Sequence, residues 1–202
     1  MKHHNKPRYP RNSYVKWNID DRIIVVNGKI TFLTFTKVAH ALVQLQDRSF
    51  QPILLLIRHS QGGCAFSGFM ICQLLRGTIA PVYTVVENLA ESAALLIFLG
   101  GYERFMLCNA HIRPHQVILS SANVINVSEQ TAEQFRDYLH EFNDSLSELS
   151  HFMTGIPKKI AGKLCRENEF LSAREARHYN FATKIMYYKK FNEIFGKYCK
   201  PR

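Results

Sequence analysis

Apolar residues occur along the chain in two patterns, short uninterrupted runs and longer stretches in which they recur every three or four positions. The short runs have the length and β-branched content of buried strands; they are RIIVV (22–26), PILLLI (52–57), VYTVV (82–86) and FMLC (105–108). Helical spacing between these runs predicts helices near 34–45, 66–75 and 92–99. Strands that alternate with helices in this way predict an α/β domain with a largely parallel sheet and helices on its faces.

The segment 128–153 differs because helical spacing continues over a much longer stretch. Its apolar positions are Phe135, Tyr138, Leu139, Phe142, Leu146, Leu149 and Met153. This pattern predicts a long amphipathic helix. Gly155 is placed to end it, and Pro157 is placed to start a basic helix. Ser172 and Glu175 form a capping box for a last helix.

The two ends of the chain are basic, and their pattern predicts no regular structure. Residues 1–18 are expected to form an irregular arm, since Pro7 and Pro10 interrupt helices and strands. Residues 19–190 are expected to form one domain, and residues 191–202 a basic C-terminal tail. The first residues are basic without an apolar core, so we expect no secretory signal, and they are too short and too rich in proline for a transit peptide.

Composition excludes several classes of protein. Hydrophobic residues make up 47% of the 202 residues and charged residues 21%, an ordinary globular balance. No apolar run approaches the roughly 18 residues of a membrane span, so no membrane partner is expected. The five cysteines are scattered without a C-x-x-C pair, so neither a disulfide framework nor a metal site is expected.

The formal net charge of +10 raises the possibility of a nucleic-acid-binding protein. Much of the excess lies at the two ends, and the interior lacks a basic stripe with interleaved stacking aromatics. Basic ends are more often solvated than functional. We therefore expect no nucleic-acid partner.

Candidate chemistry lies in the turns that follow the predicted strands. Ser92 stands between a buried strand and an apolar helix, where a hydroxyl lies beside free backbone N–H groups. An ordinary N-cap serine occupies the same place and is the commoner outcome. His115, with His111 as its competitor, follows FMLC, and Gly62-Gly63 lies where bare backbone can approach a ligand. Taken singly, these residues also fit a surface histidine and an ordinary loop.

In combination and order, these segments resemble the Clp protease proteolytic subunit over roughly residues 21–186. The resemblance lies in RIIVVNG (22–28), PILLLIRHSQGG (52–63), VYTVVENLAES (82–92), FMLCNAHIRPHQ (105–116) and NEFLSAREARHYNF (168–181). The interval between Gly63 and Ser92 also matches the family's spacing. The resemblance implies a ClpP/crotonase-like ββα superhelix core with a long protruding handle helix at about 128–153, which joins two rings.

The same resemblance implies roles for individual residues. Ser92 takes the place of the nucleophile and His115 that of the general base. The N–H groups of Gly63 and Ala93 take the place of the oxyanion hole. The family's triad aspartate lies just before F-L-S-A, and here that position is Asn168. An asparagine can hold a histidine tautomer, but it cannot compensate the charge of an imidazolium as a carboxylate does.

Two further departures lie close to the implied nucleophile and base. Glu91 precedes Ser92, where a carboxylate would repel a developing oxyanion. Pro114 precedes His115, and the family's proline after the glutamine is absent, since Val117 follows Gln116. These differences alter the strand that lines the family's substrate channel.

The implied function is that of a proteolytic subunit of an ATP-dependent Clp-type serine endopeptidase, which degrades unfolded proteins delivered by a ring ATPase. The alternative is a catalytically weak or inactive structural subunit of a mixed Clp ring. The implied partners are homologous Clp subunits in stacked heptameric rings and a Clp ATPase chaperone. No cofactor is expected, because ATP is used by the ATPase.

The implied location is the chloroplast stroma, with a bacterial cytoplasm as the alternative. A related ββα core also binds acyl-CoA in crotonase-like proteins. The handle helix argues against that use, and nothing in the sequence demands an adenine pocket.

Overall fold

The computed structural model describes residues 13–117 and 128–199, which form eight strands and seven helices. The strands are β1 (Tyr14–Asn18), β2 (Ile23–Asn27), β3 (Ile53–Ser60), β4 (Val82–Glu91), β5 (Glu103–Leu107), β6 (His111–Arg113), β7 (Leu171–Ser172) and β8 (Lys184–Met186). The helices are α1 (Phe32–Arg48), α2 (Ala65–Gly77), α3 (Ala93–Leu99), α4 (Glu129–Thr154), α5 (Lys158–Glu167), α6 (Ala173–His178) and α7 (Tyr188–Cys199).

The strands form one mixed sheet in the order β1-β2-β3-β4-β5-β8. Neighbours from β2 to β8 are parallel, whereas β1 is antiparallel to β2. The short strand β6 pairs in parallel with the last residues of β4 and antiparallel with β7. The predicted α/β class with a largely parallel sheet is confirmed.

The centre of the sheet is fully enclosed, as its uninterrupted apolar sequences predict. All five residues of β2 are buried, and so are all seven residues of α3. Helix α1 presents Val38, Ala41, Leu42 and Leu45 to this core. Burial of the whole of α3 fixes the position of its N-terminus, where Ser92 lies.

Helix α4 matches the predicted handle closely. Ser128 caps its N-terminus by accepting a hydrogen bond from the backbone N–H of Thr131, and Gly155 ends it in the left-handed region at φ 76°. No described side chain between residues 130 and 145 is buried, and Phe135 and Tyr138 are 42% and 54% exposed. The N-terminal half of α4 therefore protrudes from the core.

The structure corrects both predicted ends where it describes them. Residues Tyr14–Asn18, assigned to the irregular arm, form β1 and pair with β2; residues 1–12 lie outside the described part. Residues 191–199, assigned to the tail, belong to α7, which buries Phe191 and Phe195. Phe191 and Phe195 have helical spacing, but the surrounding lysines suggest a solvated tail. None of the helices in the described segments combines the length and apolarity needed to span a bilayer.

Candidate active site

The predicted site residues meet at the edge of the sheet where strands β3, β4 and β6 end. Gly62 and Gly63 follow β3, Ser92 follows β4, and His115 follows β6. Because these strands are parallel neighbours, their carboxyl ends lie at one edge. The topology thereby assembles residues that are far apart in sequence.

Ser92 adopts a backbone conformation that is unusual for a residue with a side chain. Its φ is 51° and its ψ is −122°, and such sparsely populated conformations with positive φ cost about 1–3 kcal/mol. Although it occupies the N-cap position of α3, its side chain makes no capping hydrogen bond. An ordinary N-cap serine has an extended backbone and caps its helix, so the structure argues against that interpretation. The strained turn leaves the hydroxyl available for other chemistry.

Gly62 lies directly against the nucleophile position. A Cβ atom built on Gly62 would lie 2.6 Å from the Cβ of Ser92 and 2.8 Å from the carbonyl oxygen of Glu91. Gly62 also has a positive φ of 83°, a conformation that glycine adopts without penalty. Both the close approach and the backbone angle therefore require glycine here.

The backbone N–H of Gly63 donates no hydrogen bond within the described residues. Ile30 bonds to both neighbours of Gly63: its N–H donates to the Gly62 carbonyl at 2.8 Å, and its carbonyl accepts from the Cys64 N–H at 2.9 Å. In a parallel bridge of this kind, the intervening N–H points away from the partner. Within residues 13–117 and 128–199, neither this N–H nor that of Ala93 donates a hydrogen bond. Both are thus available to an oxyanion.

Ser92, Ala93 and His115 line the same pocket, together with Pro114 and Val117 and with apolar side chains of α3. The Nδ1 atom of His115 lies 2.6 Å from the carbonyl oxygen of Gln116. Since a carbonyl only accepts, Nδ1 donates and Nε2 is left as the proton acceptor that a general base requires. No hydrogen bond joins Ser92 to His115 in the described part of the chain. The competitor His111 is exposed on β6 and does not line this pocket.

Asn168 is not part of the pocket lining. It is exposed at the C-terminus of α5 in the left-handed conformation, with φ 56° and ψ 36°, where asparagine is common. Its carbonyl oxygen accepts a hydrogen bond of 3.1 Å from Nε of Arg113. Its side chain makes no hydrogen bond to His115, so its role as the orienting group stays a prediction.

Arg113 was missed by the sequence reasoning. Its Nη1 atom lies 3.4 Å from Oε2 of Glu91, which is 5% exposed, and its guanidinium lies 4.8 Å from the ring centroid of Phe170. The repulsion expected between Glu91 and an oxyanion is therefore reduced by a neighbouring cation. The only local signal for this pair is weak, an arginine two positions before the candidate base.

Other titratable groups surround the glycine loop. The pKa of the Cys64 thiol is lowered, chiefly because the Ser67 hydroxyl stabilises the thiolate. Burial lowers the pKa of His59, and the charge of Glu91 opposes that shift. Among the residues that the structure describes, no three histidine, cysteine or carboxylate side chains are grouped as metal ligands would be.

Comparison with known proteins relates the chain to one family. Residues 11–189 match the family model described as Clp protease. The ATP-dependent Clp protease proteolytic subunit 2 of Treponema denticola is 28% identical over 169 residues, which are 83% of this chain and 82% of that protein.

Two solved structures share the fold. ClpP1 from Listeria monocytogenes has a TM-score of 0.71 at 26% identity, over 84% of this chain and 93% of that one. An asparagine-to-aspartate mutant of ClpP1 from the same organism has a TM-score of 0.74 at 24% identity, over 85% of this chain and 95% of that one.

Proposed function

The chain belongs to the Clp protease family, and from this membership we propose that it is the proteolytic subunit of an ATP-dependent serine endopeptidase. The observation that carries the proposal is the backbone of Ser92, which is held at φ 51° at the end of β4 and makes no cap for α3. A strained serine that does not cap its helix, beside the N–H groups of Gly63 and Ala93, suits a nucleophile.

The geometry supports a defined acyl-transfer sequence. The Ser92 hydroxyl attacks the scissile carbonyl while Nε2 of His115 takes its proton. The resulting oxyanion is stabilised by the N–H groups of Gly63 and Ala93. His115 then gives the proton to the leaving amine, and water releases the acyl group from Ser92 by the same steps in reverse.

A catalytically weak or inactive subunit of a mixed ring is the second candidate. It is favoured by two observations made on the described segments, the absence of a hydrogen bond between Ser92 and His115 and the exposed position of Asn168 outside the pocket that His115 lines. In this case the chain would retain the fold and the handle helix while another subunit supplies the chemistry.

The protruding half of α4 supports an oligomeric assembly. Its exposed Phe135 and Tyr138 form an apolar surface that a partner subunit would cover. We place the chain in stacked heptameric rings of homologous subunits, with a ring ATPase that uses ATP and delivers unfolded proteins. Its proposed location is the chloroplast stroma, with a bacterial cytoplasm as the alternative.

A fluorophosphonate probe tests the chemistry directly, because it labels only an activated serine. The purified chain, alone and with candidate partner subunits, should become labelled at Ser92 and should hydrolyse a short fluorogenic peptide. Ser92→Ala is the control and should abolish both signals. If the wild-type chain in an assembled ring is not labelled and does not contribute to hydrolysis, the proteolytic role is contradicted and the structural role remains.

A further inference from the structure

Arg113 is connected to three parts of the candidate active site at once. Its backbone carbonyl accepts a hydrogen bond of 3.2 Å from the N–H of Ser92. Its guanidinium pairs with Glu91 at 3.4 Å and donates to the Asn168 carbonyl at 3.1 Å. The same group lies over the ring of Phe170. It therefore links the strand that carries the nucleophile to the helix end that carries the triad position.

The position of Glu91 makes this link electrostatically important. Glu91 precedes Ser92 directly and is 5% exposed, so water screens its charge poorly. Removing one partner of such a pair leaves an uncompensated buried charge. A free carboxylate at this place would oppose the negative charge that develops on the substrate oxygen during attack.

His115 lies only two residues after Arg113, so the contacts that hold Arg113 also influence the position of the candidate base. Proline restricts its own φ and the backbone of the residue before it. The ring of Phe170, at 4.8 Å from the guanidinium, and the backbone carbonyl of Asn168 also hold the Arg113 side chain. Phe170 directly precedes β7, the strand that pairs with β6. Arg113 does not line the pocket itself.

We propose that Arg113 is a positioning residue of this site, which neutralises Glu91 beside the nucleophile and fixes β6 relative to Asn168. The inference rests on the proposed proteolytic function. Arg113 acts through Glu91, Ser92 and His115 and makes no contact with substrate. Its removal therefore changes the rate of attack and leaves peptide binding nearly unchanged.

The test uses the full-length chain in its assembled form and four variants. These are Arg113→Gln, Glu91→Gln, the double variant, and the matched control Arg76→Gln. Arg76 also lies over a phenylalanine ring, that of Phe152 at 5.7 Å. The readouts are the second-order rate of fluorophosphonate labelling at Ser92 and the kcat and KM for a fluorogenic peptide.

Arg113→Gln should slow labelling at least tenfold and lower kcat by a similar factor, with KM within threefold of wild type. Glu91→Gln should change the labelling rate less than threefold, because a neutral amide needs no counter-charge. The double variant should recover the electrostatic part of the loss, since the uncompensated charge is then absent, whereas the part caused by losing the hydrogen bond to Asn168 should remain. Arg76→Gln should label at the wild-type rate.

The possible failures are distinguishable. If the wild-type chain and the Arg113→Gln variant are labelled at the same rate, the role of Arg113 is overturned and the proposed function stays intact. A double variant as slow as Arg113→Gln overturns the electrostatic part, because the loss would then be independent of Glu91. A wild-type chain that never labels overturns the proposed function, and the role of Arg113 falls with it.

Discussion

Gly62 offers a sharp test of how the glycine loop positions the nucleophile. An alanine at this position would place a Cβ atom 2.6 Å from the Cβ of Ser92, whereas carbon atoms in contact are about 3.5–4.0 Å apart. One of the two must therefore move by about 1 Å. A displacement of this size at a reacting group costs on the order of 100-fold in rate.

Gly155 provides a matched control because its φ of 76° is close to the 83° of Gly62. Nothing lies within 4 Å of a Cβ atom built on Gly155. Alanine at Gly155 therefore introduces only the left-handed backbone cost of about 1–2 kcal/mol. Alanine at Gly62 adds overpacking of about 1–3 kcal/mol, for a total of about 2–5 kcal/mol.

For a chain of this size, each kcal/mol lowers Tm by about 2–4 °C. Gly62→Ala should therefore lower Tm by about 4–20 °C and Gly155→Ala by about 2–8 °C, as measured by scanning fluorimetry. Labelling of Ser92 by a fluorophosphonate should slow about 100-fold in Gly62→Ala and stay unchanged in Gly155→Ala. Equal Tm shifts together with equal labelling rates would refute the close packing of Gly62 on Ser92.

Three further changes test other parts of the chain. Asn168→Asp should raise the rate of peptide hydrolysis at least tenfold, but by less than the ~10⁴-fold that a triad carboxylate contributes in other serine proteases. An unchanged rate would exclude position 168 from the chemistry. Arg104→Met should lower Tm by about 6–20 °C in thermal melts, because the buried guanidinium donates to four backbone carbonyls, including that of Met153 at 3.1 Å; a shift under 2 °C would contradict this. Hydrogen bonds from Lys197, and secondly from Tyr198, lower the pKa of Asp21 in the folded chain below its ordinary value of 3.8. The ionised Asp21 therefore stabilises the fold above pH 3.8, and this stability is lost as the pH falls through the lowered pKa of the folded state. Asp21→Asn should therefore flatten this acid loss in urea melts, and an unaltered pH profile would count against the contact.

Local patterns were sufficient to predict most of the architecture. Uninterrupted apolar runs identified the central strands, and helical spacing with Gly155 at its end identified the long helix, because these signals depend only on neighbours in sequence. The C-terminal helix was missed since its lysines dominate the composition while Phe191 and Phe195, four residues apart, carry its buried face. The contacts that hold the segment in place are tertiary, between Lys197 and Asp21 and between these two phenylalanines and the core.

The candidate site was predictable in part for the same reason. Position alone left Ser92 an ordinary N-cap candidate, and the resemblance assigned it as the nucleophile, but its positive φ and close contact with Gly62 appear only in the folded chain. The contact of Arg113 with Asn168 spans 55 positions, and that with Glu91 spans 22. No local pattern encodes such pairings, which arise only when β4, β6 and α5 meet.

The strained backbone at Ser92 has a consequence for engineering this chain. Protein engineering for thermal stability that replaces residues with unfavourable φ/ψ angles would choose Ser92 among its first targets. Glycine there would remove strain of about 1–3 kcal/mol, offset by about 0.5–1 kcal/mol from its greater freedom in the unfolded chain. The same exchange deletes the hydroxyl. Thermal tolerance and nucleophilicity are thus opposed at a single residue, and a stability screen without an activity readout would discard the candidate catalyst.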